Sequence, residues 1–387
     1  MRPVLLVLVL LATAAVGCGE QERAEEPGRA AITGAWERAE DAPLSPREGA
    51  VLAHVGEEVV VVGGYAGEPC PPTADCAYET APERDGAAYD LDSGAWRRIQ
   101  DAPRPVPPWS SRAVVGGDLH VLVDGRLLVW RSAEDTWEEL RVPGEASWGS
   151  LVADGRRLLL VSGSDERGRV PDRVLDTSTG VWSELPEDPF VPAYDRTIVP
   201  TDLGLVLTAK AIGPDGQPAS PGLVQAAVLE RRATTWRTLP PSDQLGGWRW
   251  SWSGTHLVDA TLGGADGGEV NGFGRTIPYG GRLDPATGRW SRLPDAPPED
   301  HADETGWHVD AVGGRLVATT GWVYDDARET WTRLLRPAGA PSEPGPAVWA
   351  GDVLVVHGGA DWAGGDAPGD RTAADVWSTG LWTYRQP

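Results

Sequence analysis

The sequence predicts an all-β chain assembled from seven copies of one four-stranded unit, and three observations carry that reading. The first is composition: 387 residues hold 49 Gly, 34 Pro and 19 Trp beside one Met and two Phe. That is a profile of short strands joined by turns, with little room for long helices. The second is a Trp that recurs at Trp36, Trp96, Trp137, Trp182, Trp236, Trp290 and Trp331, at spacings of 60, 41, 45, 54, 54 and 41. The third is an apolar run ending in small residues about midway between successive Trp: EVVVVGG at 58–64, LHVLVDG at 119–125, RLLLVSG at 157–163, LVLTAKA at 205–211, LVDATLGG at 257–264, RLVATTG at 315–321 and VLVVHGG at 353–359. Internal periodicity of this length marks a repeated supersecondary unit.

Each strand of the unit follows in order. Strand a is an inner apolar stretch such as AVLAHV at 50–55, and strand b is the apolar run itself. Strand c reads AAYDL in the first unit and leads through a polar turn into the Trp of outer strand d, as in YDLDSGAW, LDTSTGVW and LDPATGRW. Strand d is short and runs into Pro, as in WERAEDAP, WRRIQDAP, WSELPEDP and WSRLPDAP.

These residues resemble kelch repeats, whose signature is an apolar strand, a Gly pair, an aromatic residue and a Trp at about this spacing. The resemblance covers Trp36 to Tyr384. The Gly pair is intact at 63–64, 263–264 and 358–359, whereas the fourth unit has Ala-Lys-Ala around Lys210, the single lysine of the chain. What the resemblance implies is a seven-bladed β-propeller, a radial array of four-stranded sheets with short protected edges. It also implies that the repeat Trp pack between blades, so Trp96, Trp182, Trp236 and Trp290 are expected to be buried.

The two ends suggest how the ring closes. Trp36 is a strand-d residue with no unit before it, while Gly380–Arg385 aligns with strand c of the other units and then the chain stops. Residues 33–39 are therefore expected to supply the outer strand of the seventh blade. The alternative places Trp377 on strand c and Trp382 on strand d, leaving Trp36 redundant.

The start of the chain reads as an address. Arg2 precedes an apolar run from Val4 to Val16, long enough for a signal-peptide core and short of the roughly 20 residues that span a bilayer. The run ends in Ala15-Val16-Gly17-Cys18, which resembles the lipobox of bacterial lipoproteins, and the resemblance makes Cys18 the lipidated mature N-terminus. The expected organisation is a signal peptide over 1–17, a polar tether over 18–32 and the propeller over 33–387, held outside the cytoplasm and on the membrane by the lipid alone. Cys70 and Cys76, six apart in a Pro-rich loop, are expected to form a disulfide in that oxidising setting.

With 57 acidic against 34 basic residues the formal charge is −23, so nucleic acid is excluded as an expected partner by phosphate repulsion. In propellers the d-to-a and b-to-c loops emerge on one face around the central channel. The residues that open strand a there are Arg47, Trp109 with Arg112, Trp148, Tyr194 with Arg196, Trp248 with Trp250, and Trp307 with His308. Aromatic planes and guanidinium groups suit sugars, aromatic ligands or carboxylates. Arg47, Trp109, Arg112, Trp148, Arg196, Trp250, Trp307 and His308 are thus the candidate ligand contacts, with Trp109, Trp148, Trp250 and Trp307 expected to be partly exposed at one mouth. The opposing reading is that the Trp fill the channel and the Arg pair with the abundant acids.

No catalytic residue, metal or cofactor is expected. Asp300, His301, Asp303, Glu304 and His308 could bind a metal or act as acid and base, and Asp266, Glu269 and Asn271 loosely resemble a calcium loop, but solvated turns account for both. The expected function is a module that binds a protein or carbohydrate ligand. The alternative is a carbohydrate-active enzyme, an oxidase or mutarotase, at the same mouth. A copper site like that of galactose oxidase is disfavoured because both downstream Cys lie in one loop.

Overall fold

The computed structural model describes residues 34–71, 76, 79–144, 149–247, 249–263, 271–294, 297, 306–362 and 371–386. The signal segment and the tether with Cys18 lie outside the described residues. Seven four-stranded antiparallel sheets form a seven-bladed β-propeller. Blade 1 runs Val51–Val55, Glu58–Val62, Gly86–Asp90 and Trp96–Ile99 from inner strand a to outer strand d. Strands a of blades 2 to 7 are Arg112–Val115, Ser150–Asp154, Ala193–Pro200, Trp250–Trp252, Ala311–Gly313 and Ala347–Ala350.

Strand b lies between a and c and is covered on both faces, which is why it reads as an unbroken apolar run: Val59, Val60, Val61 and Val62 are all fully buried. The packing between sheets closes a circle. Seven apolar clusters occupy the seven seams, from blades 1 and 2 (Val62, Leu119, Trp130) around to blades 7 and 1 (Val355, Leu381, Leu52).

Turn chemistry repeats with the blades. Asp90, Asp176 and Asp284 close the c-to-d turn by accepting hydrogen bonds from backbone N–H groups two and three residues on, at 2.7–3.4 Å. Those bonds, with hydroxyl donors from Ser93, Ser178 and Thr287, hold the three carboxyls below the usual range. In blade 2 strands b and c meet through Asp124 and Gly125, whose φ angles of 46° and 70° make a hairpin turn with both central residues left-handed. So tight a turn explains why Trp96 and Trp137 are only 41 residues apart.

The repeat Trp form a ladder around the rim. The indole N–H groups of Trp36, Trp96, Trp137, Trp236, Trp290 and Trp331 donate to the carbonyls of Leu335, Glu40, Gln100, Pro186, Pro240 and Pro294 at 2.8–3.0 Å. Each acceptor lies four residues beyond the Trp of the preceding blade. This position corrects the expected burial: Trp96, Trp182, Trp236 and Trp290 are half-buried, because strand d is the outer edge of its blade and one side of each ring stays at the rim.

Closure is by the N-terminal strand. Ala35–Arg38 pairs antiparallel with Leu381–Arg385, Trp36 opposite Tyr384 and Arg38 opposite Trp382, as the outermost strand of blade 7. Trp382 is therefore on strand c, and Trp377 follows a short helix, Ala373–Val376, so the alternative closure does not hold. Trp36 then donates to Leu335 of blade 6 and continues the ladder across the junction.

Candidate functional site

The entrances to strands a of blades 2, 5, 6 and 7 converge on one cavity of about 670 Å³. Trp109 and Arg112 come from blade 2, Arg249 from blade 5, His308, Asp310 and Val312 from blade 6, and Pro344–Val348 from blade 7. These residues precede or open their inner strands, so the cavity lies at the end of the channel where strands a begin.

Trp109 ends the Pro-rich segment PRPVPPW and is 64% exposed, the most exposed large apolar side chain among the described residues. Its backbone is left-handed at φ 60°, and its N–H donates to the Gly49 carbonyl at 2.9 Å. Gly49 is itself at φ +60°, and a Cβ there would come within 2.7 Å of Pro108. A glycine is required for the loop to seat on blade 1 and present the indole.

Arg112 is partly buried in the channel wall, and its Nε–H donates to the Leu52 carbonyl. No carboxylate pairs with it among the described residues, and burial alone pushes its guanidinium down from the ordinary value. Across the cavity Arg249 and Asp310 pair at 2.7 Å, both substantially exposed. The mouth thus carries one exposed aromatic plane, one cation without a counter-charge and one solvated ion pair.

The other candidates divide. Arg196 is 5% exposed and bound to Asp172 and Asp188 at 2.9 and 2.7 Å, with its Nη1 donating to the Ser162 carbonyl at 2.7 Å. Burial opposes its charge, and the neighbouring carboxylates, Asp172 foremost, still hold its pKa above the ordinary value. Arg47 donates to Asp85 at 2.7 Å and to the Gly63 carbonyl at 3.1 Å, tying the strand-a entrance to blade 1. Trp250 and Trp307 were expected at the surface and are buried, at 5% and 0% exposure. Trp307 stacks edge-on against Trp36 and Trp382 at 5.1 and 5.6 Å, sealing the seam of blades 6 and 7. Trp250 donates to the Gly247 carbonyl at 2.7 Å and meets Trp290 edge-on. Trp148 and Trp248 lie outside the described residues.

A second cavity of about 150 Å³ adjoins the first across Trp109 and Pro344–Pro346, and Arg47, Glu48, Cys70, Glu343, Trp362 and Trp377 also line it. Cys70 is joined to Cys76 by the expected disulfide. Sequence reasoning missed Arg249, Asp310, Glu48, Glu343, Trp362 and Trp377 as site residues. A signal existed for Glu343, which precedes strand a of blade 7 much as Arg47 and Glu48 precede strand a of blade 1, and Trp362 lies in the long b-to-c loop of blade 7.

Among the described residues no three His, Cys, Asp or Glu are grouped to hold a metal ion. Asp300, His301, Asp303 and Glu304, with Asp266 and Glu269, lie outside them. Two further ionisable groups are buried near the ends of strands b: Asp259, raised by burial to about 6, and His357, lowered by burial to about 4. No protein-family model matches the sequence, and no curated protein matches it.

Proposed function

We propose that this propeller is a kelch-like binding module, lipid-anchored outside the cytoplasm through Cys18, that takes a carboxylate-bearing carbohydrate at its channel mouth. The observation that carries the reading is the 64% exposed Trp109 indole in one cavity with Arg112, whose guanidinium meets no carboxylate among the described residues. An indole plane stacks on the apolar face of a sugar ring, and a guanidinium fork donates two parallel hydrogen bonds to a carboxylate. The cavity of about 670 Å³ is of small-ligand size. Asp310 is held by Arg249 at 2.7 Å, and no hydrogen bond joins it to His308 among the described residues. That pairing favours binding over acid–base chemistry on a glycosidic bond.

The test is titration with an oligogalacturonate and with a neutral oligosaccharide of equal length. Saturable binding of the acidic ligand, weakened about tenfold by Arg112→Gln and by Trp109→Ala at unchanged melting temperature, is expected. Binding of neither ligand, or equal binding by the double variant, overturns the reading. The anchor is tested separately: Cys18→Ser should release the protein from membranes or block its processing, and unchanged retention refutes lipidation.

A further inference from the structure

The smaller cavity beside the mouth has the opposite chemistry. Three indoles, Trp109, Trp362 and Trp377, and two carboxylates, Glu48 and Glu343, line its 150 Å³ or so. We propose that it is a subsite for an organic ammonium ion, a quaternary or methylated amine. Such a cation is large and weakly hydrated, and it spreads its charge over methyl groups that pack against the negative faces of aromatic rings.

The walls are built and held. Trp377 is 4% exposed, meets Tyr65 edge-on at 6.1 Å and belongs to an apolar cluster with Val376. Trp362 donates its indole N–H to Glu343 at 3.2 Å, which sets ring and carboxylate side by side at the rim. Behind them a two-stranded ladder pairs Glu343–Pro344 with Gly359–Ala360, and Ala360 bridges to Trp377. The helix Ala373–Val376 ahead of Trp377 is closed by a capping box between Thr372 and Asp375. Arg371 ties that helix back by donating to the Asp361 and Asp375 carbonyls.

The charge balance sets the sign of the ligand. Glu48 is fixed by its backbone, which pairs with Tyr65 in both directions at 2.8 and 3.0 Å. Its half-buried carboxylate makes no hydrogen bond or ion pair among the described residues. Burial pushes the Glu48 carboxyl up. Arg47 reaches the same wall, but its guanidinium is held by Asp85, the Gly63 carbonyl and Ser45. An anion would face two carboxylates. A hard divalent ion needs six or more oxygen ligands, and this wall of indoles does not supply them.

The two cavities share Trp109, and the experiment separates the two readings through Glu48 on one side and Arg112 on the other. Choline and its neutral carbon isostere, 3,3-dimethyl-1-butanol, are titrated into the full chain in detergent at constant ionic strength, followed by tryptophan fluorescence and calorimetry. Saturable choline binding is expected, with the isostere about tenfold weaker or more. Glu48→Gln and Trp362→Ala should each weaken choline about tenfold, while Arg112→Gln leaves it unchanged. Equal affinity for choline and the isostere, or no saturable choline binding, overturns the proposal. If Trp362→Ala lowers the melting temperature, the nearly isosteric Glu48→Gln decides. Oligogalacturonate binding that persists in Glu48→Gln shows that the mouth functions whatever the fate of this subsite.

Discussion

Arg196 and Arg112 occupy comparable places, each on the inner strand of its blade near the channel mouth, and the structure gives them opposite environments. Around Arg196, blade 3 delivers Asp172 and Asp188 at 2.9 and 2.7 Å, with Asp165 within 3.9 Å. Around Arg112 the one hydrogen-bond partner among the described residues is a backbone carbonyl, that of Leu52. The difference teaches that the same residue type on the same strand is a seam bolt or a ligand group according to what the neighbouring blade brings. Carboxylates decide it, since a buried guanidinium ringed by them is saturated, and one without them keeps donors for an incoming anion.

The sharpest way to break this comparison is to remove each cation. Arg196→Met leaves buried carboxylates without a counter-charge and is expected to cost about 3–5 kcal/mol, read as a fall in denaturant midpoint. Arg112→Met removes one hydrogen bond to a backbone carbonyl and should cost about 1 kcal/mol. Equal losses would mean that both arginines are structural.

Two tryptophans that precede inner strands sharpen it further. Trp307→Ala empties the seam of blades 6 and 7 and should cost about 3–5 kcal/mol. Trp109→Ala, at an exposed ring, should leave the midpoint within about 0.5 kcal/mol. A large loss at Trp109 would show that its ring supports the fold.

Acid and base separate two other buried groups. His357 is 3% exposed, its Nε2 has no hydrogen-bond partner among the described residues, and burial lowers its pKa from 6.5 to about 4. A depressed histidine leaves stability intact above pH 6.5 and loses it as pH falls toward 4, by about 3 kcal/mol in total. Asp259 is fully buried and raised from 3.8 to about 6, so its contribution is present below pH 3.8 and lost as pH rises through 6, by a similar amount. His357→Gln should therefore flatten the acid limb of melting temperature against pH, and Asp259→Asn should raise the neutral limb. A profile unchanged in both variants refutes the assignment.

The smallest effect is expected at the turns. Asp90→Asn keeps an acceptor for the c-to-d turn but removes the charge, so its cost should appear at neutral pH and vanish in acid, as the depressed Asp90 carboxyl of the parent protonates. A cost that persists at low pH would place the contribution of Asp90 in geometry and not in charge.

The sequence by itself determined the architecture of this protein. The Trp spacing carried the number of blades, and the unmatched Trp36 and Gly380–Arg385 disclosed the closing strand. Those features are local: alternation, turn residues and repeat length are written along the chain and survive without knowledge of neighbours. Only the tertiary structure decided which candidates face a ligand. Arg47, Arg196, Trp250 and Trp307 looked equivalent to Arg112 and Trp109 in sequence, yet Asp85 lies 38 residues from Arg47, and Pro341, which accepts the Trp307 indole N–H, lies 34 residues away. Saturation of a cation or burial of a ring depends on what folding brings from outside its own loop. That is a property of the closed ring, and no single repeat contains it.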